Sequence, residues 1–380
     1  MDFDPSEEQR QIIELARAIF AEHASHERVR ELEKRGGLRF DPALWRVMAE
    51  AGLLGIAVPE EQGGAGLGFL EIAGVLEEAG RRAAPVPYLE TQVLGVLPIL
   101  RFGSSEQRSR WLAPVARGEL ILTAALQEDG APRERPETTA EATGAGFRLR
   151  GRRPCVPAGP LAGRILVPAV ADGEIGIFAV DPETEGVRVT PLRTTSGQPE
   201  ALVELEGAVV PAEDVLVVPG AGGGEALEWL RLHAAAALAM VAVGLCEEAL
   251  RLTAEYTKTR KQFDQPIAMF QAVGHRAADA YIDAEAVRLS AWQAAWRLAE
   301  GLPAEREVAI AKFWASEGGN RVVHAAQHLH GGVGVDREYP LHRYFLMARQ
   351  LELTLGGATE QLLRLGEHIA SSPPPEPPGT

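Results

Sequence analysis

A stretch of strand-like sequence interrupts a chain that is otherwise helical, and this contrast limits the folds that the chain can adopt. From about residue 121 to residue 219, short runs such as RILVPAV and IGIFAV alternate with Gly, Pro, Asp and Thr. Runs of this length and spacing are typical of an antiparallel sheet. We therefore predict an α+β fold, mostly α, with an antiparallel β domain between two helical regions.

Apolar residues recur at helical spacing on both sides of this stretch, which predicts amphipathic helices that bury one face. We place an N-terminal helical domain at 1–121, the β domain at 122–219 and a C-terminal helical bundle at 220–370. The linker between the last two is the glycine-rich run PGAGGG. The tail at 371–380, SSPPPEPPGT, is too rich in proline to form a core, so we expect it to be disordered.

Charge and cysteine content exclude several classes of protein. The formal net charge of −15 argues against an extended nucleic-acid surface. Two cysteines, Cys155 and Cys246, imply no disulfide framework and suit a reducing cytoplasm. The acidic N-terminus lacks the apolar core of a signal peptide. Charged residues bracket the apolar run 234–243 too closely for a membrane span, so we predict a soluble cytoplasmic protein.

The sequence YTKTRKQFDQPIAMFQ, residues 256–271, combines a basic patch with an amide and an aromatic residue beside a helix break. Arg260 offers a planar fork for phosphate oxygens, and Phe263 offers a flat apolar surface. This combination suits a nucleotide with a pyrophosphate. Taken alone, such a patch is more often a solvated helix end, and only a second signal favours the nucleotide interpretation.

Two other motifs have simpler explanations. Gly64, Gly66 and Gly68 have the spacing of a dinucleotide loop, but helical patterns lie on both sides, so we interpret them as a connecting loop. His324 and His328 share a helix face, but no cysteine or acidic ligand is near in sequence, so we predict no metal site.

The runs RKQFDQPIAMFQAV and HLHGGVGVDREYPLHRY together resemble the acyl-CoA dehydrogenase family. PEEQGGAGL and ALVELEGAVVPAEDVLVV are similar to it too, in the same order along the chain. The resemblance implies a C-terminal four-helix bundle, FAD as cofactor and α,β-desaturation of an acyl-CoA substrate. It also implies an oligomer, a dimer of dimers, in which these residues commonly reach the FAD of the neighbouring subunit.

The resemblance assigns the adenine and pyrophosphate end of FAD to named residues of this chain. They lie in the 256–271 segment, at the end of the following helix pair and near the C-terminus: Arg260, Gln262, Phe263, Phe270, Gln271, His328, Gly331, Gly332 and Glu360.

The catalytic base of the family has no counterpart in this sequence. The glutamate that usually precedes a Gly-Thr pair falls on Gly356, and the threonine falls on Ala358. The alternative position, on the helix after the linker, falls at about Ala234. Glu228 and His233 are the nearest titratable residues in sequence and remain weak candidates.

The flavin end of the family pattern is altered as well. Gln127 stands where a Thr or Ser usually contacts the flavin, and Cys155–Val156–Pro157 replaces a Trp-aliphatic-Ser/Thr motif. Pro157 has neither an N–H nor a hydroxyl to donate. These changes resemble the non-catalytic subunit of heterotetrameric acyl-CoA dehydrogenases that shorten steroid side chains in actinobacteria.

We therefore expect a subunit that completes a partner's FAD site. Two alternatives stay open: a self-sufficient dehydrogenase with an atypically placed base, and a flavin monooxygenase or oxidase on the same fold.

Overall fold

The computed structural model describes residues 5–128 and 135–371. Contacts divide the chain into two compact units that meet in sequence between Ala237 and Leu238, within one long helix. The finer boundaries at 121 and 219 stay a prediction.

The N-terminal half of the first unit is helical. Its helices are α1 (Glu7–His23), α2 (His26–Arg35), α3 (Pro42–Glu50), α4 (Phe69–Arg81), α5 (Tyr88–Thr91), α6 (Leu97–Phe102) and α7 (Ser105–Ala116). A π-helical turn, Gln92–Val96, connects α5 with α6.

Sequence-encoded caps begin several of these helices. The Ser6 hydroxyl accepts the Gln9 N–H at 3.1 Å, and the Gln9 side chain accepts the Ser6 N–H at 2.9 Å, which is a capping box at the start of α1. At α3 the Asp41 side chain accepts the N–H groups of Ala43 and Leu44, and Pro42 occupies the first helical position. The glycine loop at 63–68 joins α3 to α4, as predicted.

The second half of this unit is an eight-stranded sheet in which the strands lie in the order β6-β7-β3-β2-β4-β5-β8, with β1 paired to β4. The strands are β1 (Leu122–Ala124), β2 (Thr139–Thr143), β3 (Gly146–Pro157), β4 (Arg164–Ala171), β5 (Glu174–Val180), β6 (Val187–Leu192), β7 (Glu200–Pro211) and β8 (Val215–Val217). Leu149, Val167 and Phe178 are among the fully buried residues of its core.

The predicted β domain is present, but its sheet is mixed: most strand pairs are antiparallel, as expected, whereas β4 also has parallel neighbours. β1 pairs with β4 in parallel from Leu122 opposite Arg164, and β2 meets β4 in parallel at Thr139 and Val170. Strand-like composition reports burial and β propensity, and it carries no information about the direction of the partner strand. Parallel pairing also needs a crossover connection, which the β2–β3 hairpin supplies between β1 and β4.

The second unit is helical, which confirms the predicted fold class. Helix α8 (Gly223–Thr259) enters it, followed by the short strands β9 (Lys261–Gln262) and β10 (Gln265–Pro266), then α9 (Gln271–Ala299), α10 (Glu305–His330), α11 (Leu341–Leu353) and α12 (Ala358–Ser371). Helix α10 packs against α9, α11 and α12. Ser371 ends α12, so it does not belong to the predicted disordered tail, and residues 372–380 lie outside the described residues.

Helix α8 is long and apolar enough to cross a membrane by length and composition alone. However, 89% of its apolar window is buried inside the molecule, as in the core helix of a soluble protein. A cytoplasmic location stays a prediction.

Candidate functional site

A tight hairpin separates α8 from α9. After α8 ends at Thr259, β9 and β10 pair antiparallel, with Gln262 opposite Gln265. Phe263 and Asp264 make the turn with φ angles of 52° and 65°. A left-handed conformation costs an ordinary residue about 1–2 kcal/mol, so the hairpin imposes this turn against local preference.

The side chains of this hairpin face solvent. Phe263 is 88% exposed, and its ring lies edge-on to Phe270 with centroids 6.2 Å apart. Arg260, Gln262 and Gln271 are exposed beside it. The segment therefore presents an aromatic face and a guanidinium group together, which suits a planar apolar ring that carries anionic groups.

The second predicted segment, His328–Gly332, closes α10. His328, Gly331 and Gly332 are exposed, and a Cβ added to either glycine would meet nothing within 4 Å. Gly331 has φ 60°, a conformation that favours glycine. The backbone here is open to a ligand.

A ring contact brings these two segments together. His330, the last residue of α10, stacks on Tyr256, four residues before Arg260, with centroids 4.4 Å apart and an interplanar angle of 23°. The hairpin and the Gly331–Gly332 turn are thus neighbours in the second unit.

Glu360, in the first turn of α12, covers Gly356. A Cβ added to Gly356 would lie 2.3 Å from the Cδ and Oε2 atoms of Glu360. Gly356 also has φ 91°, a conformation that L-amino-acid side chains rarely adopt. The Glu360 carboxylate therefore fills the space in front of Gly356, the residue to which the resemblance assigns the base position.

A buried lysine that the sequence did not single out holds this turn. Lys312 is fully buried, and its Nζ donates to the carbonyl oxygens of Leu351 at 2.8 Å, Glu352 at 3.2 Å and Gly356 at 3.0 Å. It also donates to the Ser316 hydroxyl at 3.0 Å. A cation at the carboxyl end of α11 donates hydrogen bonds to carbonyls that the helix leaves unpaired, and it interacts favourably with the negative end of the helix dipole.

The predicted flavin-end residues lie around the end of β3. Cys155 sits in a bulge of β3 with φ 50°, and Pro157 ends the strand. The Thr123 hydroxyl of β1 donates to the Pro157 carbonyl at 2.6 Å, so it is engaged within the protein. Gln127 is half-buried just after β1. The altered loop that follows, at 129–134, lies outside the described residues.

An ion pair lies beneath this edge of the sheet. Arg153 and Glu128 are both buried, with Nη2 and Oε1 2.9 Å apart. Glu128 also accepts from the N–H and hydroxyl of Thr138, at 2.8 and 2.6 Å. Burial, with a smaller effect of the Arg231 charge, lowers the pKa of Arg153 to about 10 against the opposing effect of Glu128, so the group stays protonated.

The weak base candidates of α8 differ in environment. The His233 ring packs against Trp229 with centroids 3.8 Å apart and a tilt of 32°, and it lies edge-on to Phe69 at 5.2 Å. Its Nδ1–H donates to the Trp229 carbonyl at 2.8 Å, and burial lowers its pKa to about 4. Glu228 is half-buried on the same helix, and Ala234 is buried. His233 is thus a neutral ring within an aromatic cluster.

One further titratable group was missed from the sequence. Burial, with a smaller effect of the Glu200 charge in β7, raises the pKa of Glu90, in α5, to about 7. A carboxyl group with a pKa near neutrality has the property that a general base needs. Glu200 is 110 residues away in the chain, so no local motif reveals this environment.

The two histidines considered for a metal site lie in different surroundings. His324 lies edge-on to Phe345 with ring centroids 4.8 Å apart, and His328 is exposed to solvent. Among residues 5–128 and 135–371, no group of three or more His, Cys, Asp or Glu side chains is arranged to hold a metal ion.

Comparison with known proteins gives the family. The acyl-CoA dehydrogenase N-terminal domain model matches residues 6–119, and the C-terminal domain model matches residues 223–369. The acyl-CoA dehydrogenase FadE27 of Mycobacterium tuberculosis is 44% identical over 98% of this chain and 100% of its own length. The chain belongs to the acyl-CoA dehydrogenase family.

Two solved complexes of this family are also similar to the chain. A chain of the ChsE4-ChsE5 complex from Mycobacterium tuberculosis matches with a TM-score of 0.93 and 44% identity, covering 98% of this chain and 100% of that one. A chain of the Tcur3481-Tcur3483 steroid acyl-CoA dehydrogenase, in a variant form, matches with a TM-score of 0.88 and 44% identity. The match covers 96% of this chain and 98% of that one.

Acyl-CoA dehydrogenases are oxidoreductases that act on CH–CH bonds and bind FAD. The residues of this chain fit only one end of that cofactor. The exposed Arg260, the Phe263 ring and the open Gly331 backbone suit its adenine and pyrophosphate end. The flavin end does not fit, because Pro157 has no hydrogen to donate and Cys155 offers no aromatic wall.

Proposed function

We propose that this chain is the base-lacking subunit of a heteromeric acyl-CoA dehydrogenase and completes an FAD site in a partner chain. Its contribution is the 256–271 hairpin segment together with the His328–Gly332 turn. The partner supplies the flavin-facing residues and the catalytic carboxylate.

The conformation of Gly356 carries this proposal. A glycine cannot abstract a proton, and its φ of 91° disfavours any residue that could. The Glu360 carboxylate fills the adjoining space, and Lys312 holds the carbonyl of the same residue. Loss of the base is therefore accompanied by a local structure adapted to its absence.

Exposure of the adenine-side residues supports a site shared between chains. An 88% exposed phenylalanine is unusual in an isolated soluble protein, and Met269 in the same segment is 69% exposed. Clustered apolar exposure of this kind is typical of a surface that another chain covers. The charged and aromatic groups of the hairpin would then meet a cofactor held largely by that chain.

Each residue has a separate role in this arrangement. Arg260 pairs with pyrophosphate oxygens through its planar guanidinium group, and Phe263 packs on the adenine ring. Gly331 and Gly332 allow the cofactor to approach the backbone. FAD, when bound, accepts the hydrogen that leaves the β-carbon of the acyl thioester as hydride.

The similarity to chains of two hetero-complexes supports an unlike partner. We extend the proposal to the substrate: an acyl-CoA whose acyl group is attached to a steroid is the first to test, because one of these complexes is a steroid acyl-CoA dehydrogenase. Cytoplasmic location is part of the same proposal.

Co-expression with a paralogous dehydrogenase subunit tests the function. We expect the isolated chain to bind little FAD and to show no turnover, whereas the purified complex holds FAD and oxidises the steroid acyl-CoA. Within the complex, Arg260→Ala should weaken FAD binding by about tenfold or more, the loss expected for a charge-assisted contact.

Arg46→Ala is the matched control, because Arg46 is an exposed arginine of α3 whose ion pair is with Glu50 of the same helix. Full flavin loading and turnover by the isolated chain would overturn the proposal.

A further inference from the structure

Three aromatic rings connect the hairpin to the end of α10. Tyr256 lies in the last turn of α8, His330 ends α10, and Tyr339 lies in the loop before α11. Besides the Tyr256–His330 stack, the Tyr339 ring lies edge-on to Tyr256 with centroids 6.4 Å apart. The His330 Nε2 and the Tyr339 hydroxyl oxygen are 3.1 Å apart.

The direction of the last hydrogen bond follows from the other nitrogen of the imidazole. His330 Nδ1 lies 2.8 Å from the Ala326 carbonyl oxygen, which can only accept, so Nδ1 carries the proton. In the neutral ring Nε2 is then an acceptor, and Tyr339 donates its hydroxyl hydrogen to it. Burial favours this state, because it lowers the pKa of His330 and raises the pKa of Tyr339.

The cluster is attached directly to both proposed cofactor segments. The Tyr256 carbonyl accepts the Arg260 N–H at 2.8 Å, and the Arg260 carbonyl accepts the Ile267 N–H at 2.8 Å, so the hairpin is built on Tyr256. His330 immediately precedes Gly331. A shift of either ring would therefore move one segment relative to the other.

The hairpin needs such an attachment. Its two strands have two residues each, and a two-stranded hairpin has little stability of its own in water. Its turn residues have left-handed conformations, and its side chains are exposed. Packing of the half-buried Tyr256 on the buried His330 supplies contact that the hairpin lacks.

We propose that Tyr256, His330 and Tyr339 are positioning residues that hold the Arg260 hairpin and the Gly331–Gly332 turn at the spacing FAD requires. This inference rests on the proposed function of the two segments. The three rings act through the backbone of their neighbours and take no part in the chemistry.

Paired substitutions at His330 and Tyr339 test the inference. Tyr339→Phe removes one hydrogen bond and keeps the ring, so FAD affinity of the complex should fall by about fivefold. His330→Leu removes both the hydrogen-bond acceptor and the stacking ring, so it should lower the FAD affinity further. His330→Gln restores an amide acceptor and should recover part of the loss relative to His330→Leu.

A second measurement does not depend on the partner or on FAD. In the isolated chain, amide hydrogen exchange across residues 260–270 should become faster in Tyr339→Phe and His330→Leu. His324→Gln is the matched control, because His324 is on the same helix, donates from Nδ1 to the Asn320 carbonyl and lies edge-on to Phe345. His324→Gln should change neither the FAD affinity of the complex nor the amide exchange of residues 260–270.

The outcomes separate this inference from the proposed function. If Arg260→Ala loses FAD while the ring variants keep wild-type affinity and exchange, the positioning role is wrong and the shared site stands. If exchange accelerates but neither Arg260→Ala nor the ring variants affect FAD binding, the shared site is wrong. Equal losses in His330→Gln, His330→Leu and His324→Gln would indicate general destabilisation and would overturn the inference.

Discussion

The Nζ of Lys312 donates a 3.0 Å hydrogen bond to the carbonyl oxygen of Gly356, 44 residues later in the chain. The lysine is fully buried, and its other acceptors include two carbonyls at the end of α11. A buried cation is stable only when protein groups replace its hydrogen bonds to water. The lysine therefore needs these carbonyls as acceptors, and the carbonyls need the lysine as their donor. The turn at Gly356 is therefore held in a fixed position by its hydrogen bond to the buried lysine.

Lys312→Met should destabilise the chain by about 2–4 kcal/mol, because several buried carbonyls lose their donor while the apolar bulk is kept. Urea unfolding measures the change. Lys258→Met, at an exposed position of α8, is the control and should change stability by less than about 0.5 kcal/mol. A loss of similar size in both variants would contradict the role assigned to Lys312.

Gly356→Glu should not restore catalysis to the isolated chain. The φ of 91° opposes a side chain, and its Cβ would meet the Glu360 carboxylate, so we expect a loss of about 1–3 kcal/mol. Adding Glu360→Ala should recover part of that loss, which a double-mutant cycle measures as a coupling energy. Strictly additive effects would show that the two side chains do not compete for space.

The candidate bases Glu90, Glu228 and His233 should prove dispensable. Replacing each by Gln in the complex should change kcat by less than about tenfold, whereas loss of a true general base costs roughly 10²–10⁴-fold. The Glu90→Gln variant is the most demanding of these tests, because the pKa of Glu90, about 7, suits a general base. A loss of a hundredfold or more at unchanged FAD content would identify the base and refute the base-lacking role.

His233 should make stability sensitive to acid. Its folded pKa of about 4 lies below the value of about 6.5 in an unfolded chain, so between these values the unfolded state binds more protons. Stability should therefore fall as the pH decreases from about 6.5 to 4, by at most about 3 kcal/mol from this group. His233→Phe should flatten that part of the profile, whereas the exposed His328→Phe should not. Parallel wild-type and His233→Phe curves would contradict the assignment.

Local signals predicted much of the fold. Helical and strand-like patterns located the helical regions and the β domain between them, and the caps of α1 at Ser6 and of α3 at Asp41 also depend only on residues close in sequence. The parallel pairing of β1 with β4 was missed, because strand composition is the same for either direction. Chain direction within a sheet is decided by connections that no short window contains.

In the candidate site, too, only residues that are close together in the sequence could be predicted as a group. The segment at 256–271 is contiguous, so its residues could be found together in the sequence. The role of Lys312 depends on carbonyls 39 to 44 residues away, and the environment of His233 depends on Phe69, far upstream. His233 was considered a base because of its position in sequence, but its aromatic surroundings come from tertiary packing.

The overlap of Glu360 with the space beside Gly356 has an evolutionary consequence. Regaining a base at this position takes more than the reversal of one substitution, because an incoming side chain meets an unfavourable backbone and an occupied site. Each single step back towards an autonomous enzyme would first lower stability, so selection would remove it. Under the proposed division of labour between two chains, we therefore expect their genes to be retained as a pair.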